Sequence, residues 1–211
     1  MAFSSDSCHC IVGENGVGKS SLLLSMTRRG ALRVEDHPNP RVMYFAPRDT
    51  LSAERMATRR FAGSVVSMDL MDHWGINPDQ NLAALSQGQR TRLTLSIANG
   101  LDPDILLLDE PTLGLDGEGL SQLRSLFAER SRMGRVTIIS SHDLSAFEAG
   151  AMRLILMQRR NDGPSHVSAD APILSGVGQF RVEGGVEERL AGPLIDVARR
   201  LMDRQLSEFG Q

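Results

Sequence analysis

Short uninterrupted apolar runs alternate along this chain with longer amphipathic stretches. "HCIV" at 9–12, "RVMYF" at 41–45, "ILLL" at 105–108, "VTIIS" at 136–140 and "RLILM" at 153–157 are the apolar runs. Their length and lack of alternation predict strands buried on both faces. Between them, residues 19–28 predict a helix that packs through Leu22, Leu23, Leu24 and Met26 and leaves at Arg28, Arg29 and Gly30. "SQGQRTRLTLSIANG" predicts a helix closed by Asn99-Gly100, residues 117–132 another, and a short one starts at Asp143. Strands alternating with helices predict an α/β fold whose central, mainly parallel sheet carries helices on both sides. Residues 49–85 show no strand alternation and predict a small helical lobe, which runs to about 99 with the helix that follows. The polar segment 160–171 predicts a loop. Val186, Leu190, Leu194, Val197 and Leu201 predict a helix over 184–208, for packing or for docking a partner. At 211 residues the chain makes one domain, with a C-terminal extension over about 159–211.

Composition narrows this little but usefully. No apolar run reaches the ~18 residues of a membrane-spanning helix. The opening "MAFSSDSCHCIV" lacks the basic start and long apolar core of a secretion signal. A soluble, cytoplasmic chain without direct membrane insertion is expected. The formal charge is −3 and the arginines are scattered, which argues against a broad nucleic-acid face. Cys8 and Cys10 flank His9; structural zinc wants four ligands and no second pair stands at zinc-like spacing, so reduced thiols on an entering strand fit better.

One lysine stands in a chain that otherwise uses arginine, and it is Lys19 in "GENGVGKSS". Gly13, Gly18, Lys19 and Ser20 complete the pattern G-x-x-x-x-G-K-[ST], after a predicted strand and before a predicted helix. The glycines let the loop curl so that backbone N–H groups of Gly13, Glu14, Asn15, Gly16, Val17, Gly18 and Ser21 surround phosphate oxygens. The helix N-terminus adds its positive end. A compact ammonium on a flexible stem reaches the β- and γ-phosphates where arginine's planar fork does not substitute. Ser20 supplies a hydroxyl to Mg²⁺. ATP and Mg²⁺ are the expected ligands.

Asp109 and Glu110 end the run "ILLLDEP", so a doubly wound sheet carries them to the phosphate end. Asp109 is suited to hold Mg²⁺, directly or through water, and Glu110 to polarise an attacking water. In "LSQGQ", Leu85, Ser86, Gln87, Gly88 and Gln89, the Ser86–Gln89 spacing is a capping box, and the helix start makes a second anion site. Two chains placed head to tail would use both sites on one nucleotide.

Together these residues resemble the ATP-binding cassette family over roughly 9–158. "GENGVGKSS" looks like its Walker A motif, "LSQGQ" its signature, "ILLLDEP" its Walker B motif and "GLD", ending at Asp116, its D-loop; "SSHD" puts His142 where the family keeps its switch histidine. The resemblance implies a P-loop NTPase fold and a head-to-tail dimer, with itself or with another cassette, that sandwiches two ATP molecules. It implies Ser86 and Gly88 on the γ-phosphate in trans, Glu110 as general base, and His142 on the γ-phosphate. It also implies an ATPase at the inner face of a membrane, energising a transporter whose membrane subunits are separate chains. A soluble cassette acting on nucleic acid or the ribosome, and a low-turnover nucleotide sensor, are the alternatives.

Two positions depart from the family pattern. Arg48 stands where the family carries a metal-contacting glutamine; arginine is a donor and binds no metal, so it turns to the γ-phosphate or to a partner. Twelve residues before Gly13 leave no room for the family's N-terminal antiparallel sheet, which is expected to be truncated or absent. Either the true start lies upstream of Met1, or base contact is weak, which predicts weak discrimination among purine nucleotides. Trp74, the one tryptophan, reads as a core residue or as an interface residue.

Overall fold

The computed structural model describes residues 2–3, 8–28, 32–34, 39–46, 66–141, 152–160, 163–174, 177–182 and 187–191. In chain order the elements are β1 (Ala2–Phe3), β2 (Cys8–Val12), α1 (Lys19–Met26), β3 (Arg33–Val34), β4 (Val42–Phe45), α2 (Met68–His73), α3 (Gln87–Leu101), β5 (Ile105–Asp109), α4 (Gly117–Arg132), β6 (Val136–Ser140) and β7 (Met152–Arg160), then β8 (Gly163–Leu174), β9 (Val177–Val182) and β10 (Glu187–Ala191). Eight strands form one sheet in the order β10-β9-β8-β7-β2-β6-β5-β4. From β7 to β4 every pairing is parallel. From β7 to β10 every pairing is antiparallel.

Period-two alternation divides the core between the two faces of the sheet. Cys10, Val12, Leu106, Leu108, Ile139, Leu154 and Leu156 face one side, where α3, α4 and the helical lobe bring Leu93, Leu123, Phe127, Leu82 and Trp74. Ile11, Ile105, Leu107, Ile138 and Ile155 face the other, against Leu23 and Met26 of α1. β5 and β6 are therefore buried along their apolar runs, as a strand covered on both faces requires. Trp74 lies 1% exposed inside the first cluster, which settles its reading as a core residue.

Several elements differ from the sequence expectation. α1 ends at Met26 with Thr27 as its cap, before the expected Arg28–Gly30 exit. α3 runs through Asn99 and Gly100 to Leu101, and Asp102 takes the left-handed cap at φ 40°. Gly100 is thus inside the helix. Asp102 tolerates the left-handed well and its carboxylate is drawn to Arg135 at 2.7 Å. The polar segment 160–171 is not a loop: most of it belongs to β8, which pairs along β7 with register shifts after Leu156 and Gln158. The pattern Val167, Ala169, Ala171, Ile173 alternates, but its small residues and charges mask the signal. Residues 187–191 of the expected C-terminal helix are strand β10, paired with β9, so pairing outweighs the helical spacing. The remainder of 184–208 beyond these strands, the short helix from Asp143, and residues 49–65 of the lobe lie outside the described residues. At the N-terminal end β1 pairs in parallel with β3 over two residues each; the antiparallel strands come from β8, β9 and β10.

Cys8 and Cys10 are free, buried thiols on one face of β2. Burial pushes the Cys8 thiol up to about 12. It raises Cys10 as well, with the neighbouring Cys8 adding to the effect. No group of three metal-ligating side chains occurs among the described residues. Nor is any helix among them long and apolar enough to cross a membrane.

Candidate functional site

The carboxyl ends of β2, β4 and β5 open into one cavity of about 680 Å³, lined by the loop 15–21 together with Tyr44, Asp109 and Glu110. β2 delivers the loop. At Gly13, φ is 156°, and a Cβ would meet the Met157 carbonyl oxygen at 2.4 Å, so the loop leaves the sheet pressed against β7 and only glycine fits. Gly18 caps α1 in the left-handed region at φ 101°, which turns the loop into the helix. Val17 is buried beneath the loop, whereas Glu14, Asn15, Gly16, Ser20 and Ser21 are exposed toward its mouth.

Lys19 begins α1 and is buried, yet its ammonium is kept inside the loop. It donates to the Gly13 carbonyl at 2.8 Å and to the Glu14 carbonyl at 3.2 Å. A buried ammonium needs such acceptors, and they place the charge where an anion entering the loop would meet it.

Across the cavity, β5 ends at Asp109 and the backbone turns sharply. Glu110 sits at φ 52°, a left-handed conformation that costs a non-glycine residue about 1–3 kcal/mol. Its N–H donates to the Ser140 carbonyl at 3.1 Å and to Ser140 Oγ at 3.2 Å, which fixes the turn. The Ser140 hydroxyl in turn donates to Asp109 Oδ1. The Tyr44 hydroxyl donates to Asp109 Oδ2 at 3.2 Å. The Ser20 hydroxyl and the Asp109 carboxylate are hard oxygen donors on the cavity that holds Lys19, a set suited to Mg²⁺ beside phosphates. Sequence reasoning found Lys19, Ser20, Asp109 and Glu110 but missed Tyr44 and Ser140. Their place at the carboxyl ends of β4 and β6, the ligand-binding edge of such a sheet, was the available signal.

The signature residues do not line this cavity. Ser86 caps α3 with both halves of the capping box formed: the Gln89 N–H reaches Ser86 Oγ at 3.2 Å, and the Ser86 N–H reaches Gln89 Oε1 at 2.9 Å. Ser86 and Gln87 are exposed, while Leu85 is buried in the core. A Cβ on Gly88 would meet the Gly114 carbonyl oxygen at 2.3 Å, so the helix start is pressed on the loop after Glu110. The Thr91 hydroxyl reaches the Leu113 carbonyl at 2.7 Å, and Arg92 reaches Asp116 at 2.6 Å. Asp116 caps α4 through the Gly119 N–H; that bond, with Arg92, holds its carboxyl below the usual carboxylate range. Helix start and D-loop are thus fastened together at three points. His142 and Arg48 lie outside the described residues; Ser141, the last described residue before His142, is buried and bonds Ile11.

The family model described as ABC transporter matches residues 1–113. The zinc import ATP-binding protein ZnuC of Cereibacter sphaeroides is 36% identical over 178 residues, covering 77% of this chain and 73% of that protein. A probable ATP-binding cassette sub-family F member 3 homolog of Encephalitozoon cuniculi is 35% identical over 167 residues, 74% of this chain but 29% of that protein. Among solved structures, a model of ribosome-bound archaeal Pelota and ABCE1 superposes with a TM-score of 0.62 over 93% of this chain and 37% of that one, at 21% identity, a likeness of fold. With a phosphate loop, a strand-end acidic pair and a capped signature helix all in place, the chain belongs to the ABC transporter family.

Proposed function

We propose that the chain is a Mg²⁺-dependent ATPase that works as half of a head-to-tail pair of cassettes. The observation that carries this reading is the division of the motifs: Lys19, Ser20, Asp109 and Glu110 meet on one cavity, whereas the exposed Ser86 helix start points elsewhere. A second chain placed head to tail closes the cavity with its own Ser86 and Gly88. Lys19 and the loop N–H groups hold the β- and γ-phosphates, and Ser20 and Asp109 hold Mg²⁺. Bound there, the cation would neutralise negative charge on the phosphates. Glu110 orients and deprotonates the attacking water, and its left-handed backbone, locked by Ser140, aims the carboxylate. Asp116 keeps the D-loop against the signature helix. His142 is assigned the γ-phosphate contact, and Arg48 a γ-phosphate or partner contact, from their places in the sequence.

The energy is proposed to serve a transporter built from separate membrane chains, with the cassette peripheral at the cytoplasmic face. Likeness to ZnuC over most of both chains supports this reading. A soluble cassette acting on nucleic acid or the ribosome is the second reading; a comparable identity to the sub-family F protein, whose name carries no transport role, keeps it beside the first. The test is phosphate release from ATP by the purified chain with and without Mg²⁺, alone and with candidate membrane chains. Turnover that requires Mg²⁺ and rises with a membrane partner supports the transporter reading. Stimulation by ribosomes instead moves the assignment to the second reading, and no release above buffer in any setting overturns the enzyme assignment.

A further inference from the structure

We infer that Tyr44, the chain's single tyrosine, is a positioning residue for the metal side of the phosphate cavity, holding the Asp109 carboxylate in the orientation that accepts Mg²⁺. This rests on the nucleotide-binding reading of that cavity. Tyr44 lies near the end of β4, next to β5 in the sheet, and pairs with Leu107. Tyr44 packs against the apolar cluster beside α1 and lines the cavity, and its hydroxyl reaches Asp109 Oδ2 at 3.2 Å. On the other neighbouring strand, the Ser140 hydroxyl reaches Oδ1 of the same carboxylate. One carboxylate is thus gripped from both sides by hydroxyls of the flanking strands, and its rotation about the Cβ–Cγ bond is fixed.

A carboxylate has about four lone-pair sites, so a grip that uses one on each oxygen leaves acceptor capacity on both for a cation or its waters. Partners that orient a metal-holding side chain govern its metal affinity, typically by about 10–100-fold when removed. Ring and hydroxyl have separable jobs here, because phenylalanine keeps the packing and loses the grip on Asp109.

The experiment is equilibrium binding of a fluorescent ATP analogue to the full chain, once in EDTA and once with Mg²⁺ titrated, for the wild type, Tyr44→Phe and Ser140→Ala. For Tyr44→Phe, affinity in EDTA is expected to stay within about twofold of the wild type, while the Mg²⁺ needed for half of the metal-dependent gain rises about tenfold. Ser140→Ala is expected to move the Mg²⁺ response in the same direction. A wild-type Mg²⁺ response in Tyr44→Phe overturns the proposal. So does an equal loss in EDTA and in Mg²⁺, which would mean that the ring only shapes the cavity. A wild-type chain that binds no nucleotide overturns the underlying reading instead, and is told apart because the wild type itself then shows no signal.

Discussion

Strand β5 carries a pair of acids at each end, and the two pairs are treated in opposite ways. At its amino end, Asp102 and Asp104 are met by arginines. Arg135 pairs with both, Arg130 lies 3.6 Å from Asp102, and the backbone N–H of Arg41, an uncharged donor, adds a bond to Asp104 at 2.8 Å. At its carboxyl end, Asp109 is held by the hydroxyls of Tyr44 and Ser140, and among the described residues the cation on the same cavity is Lys19. Arginine neutralises; a hydroxyl orients without neutralising. The amino end uses charge to tie α4 to the sheet, and Asp109 at the carboxyl end keeps its charge for a ligand. In the sequence "DPDILLLDEP" the two pairs look alike.

The buried Arg130 shows what the amino end costs. It is 2% exposed and donates to the Thr137 hydroxyl at 3.1 Å and to the Pro103 carbonyl at 2.8 Å. Burial pulls its guanidinium down to about 10, with Asp102 opposing that shift. Such an arrangement stabilises only while every partner is in place.

Changes at the two ends should therefore separate function from folding. Lys19→Ala, at the carboxyl end, is expected to lower ATP turnover by about 10²–10³-fold, the scale for one preorganised donor to developing charge, with the urea midpoint unchanged. Measured phosphate release and urea unfolding on one preparation check this together. Arg130→Met, at the amino end, is expected to lower stability by about 3 kcal/mol in urea unfolding while nucleotide affinity of the folded protein holds. A large loss of affinity without loss of stability would erase the distinction between the ends.

The smallest effect concerns Cys8, where the charge of Arg130 opposes the effect of burial. Its thiol is raised from 9.0 to about 12, so the folded state holds that proton more tightly than the unfolded state does. The contribution to stability is full below pH 9 and is lost as pH rises toward 12. Cys8→Ala should flatten the decline of stability above pH 9. Identical slopes for variant and wild type would remove Cys8 from that decline.

Much of the phosphate end was legible because its chemistry demands particular residues in a particular order. Only glycine permits the backbone approach at Gly13, and Ser86 with Gln89 spells its own capping box. The apolar runs at 105–108 and 136–140 declared buried strands because both their faces are covered. The C-terminal strands were not legible. β8 and β10 are strands through antiparallel pairing with the strands just before them, whereas the polarity of one and the helical spacing of the other argued for loop and helix. Tyr44 was hidden for a related reason: its strand was visible, but its hydroxyl acquires a role only once β4 is laid beside β5. The contact of Gly88 with Gly114 likewise arises from folding, and it gives the signature glycine a reason within one chain.

The central claim is a nucleotide site completed by a second cassette, and the most direct measurement is the mass of Glu110→Gln in solution with and without Mg²⁺ and ATP. With Glu110 assigned as general base, its replacement should retain the nucleotide, so the account predicts an ATP-dependent shift to twice the monomer mass, reversed when Ser86 is also changed to arginine. A Glu110→Gln protein that binds Mg²⁺ and ATP yet stays at monomer mass, while the wild type dimerises, would contradict it.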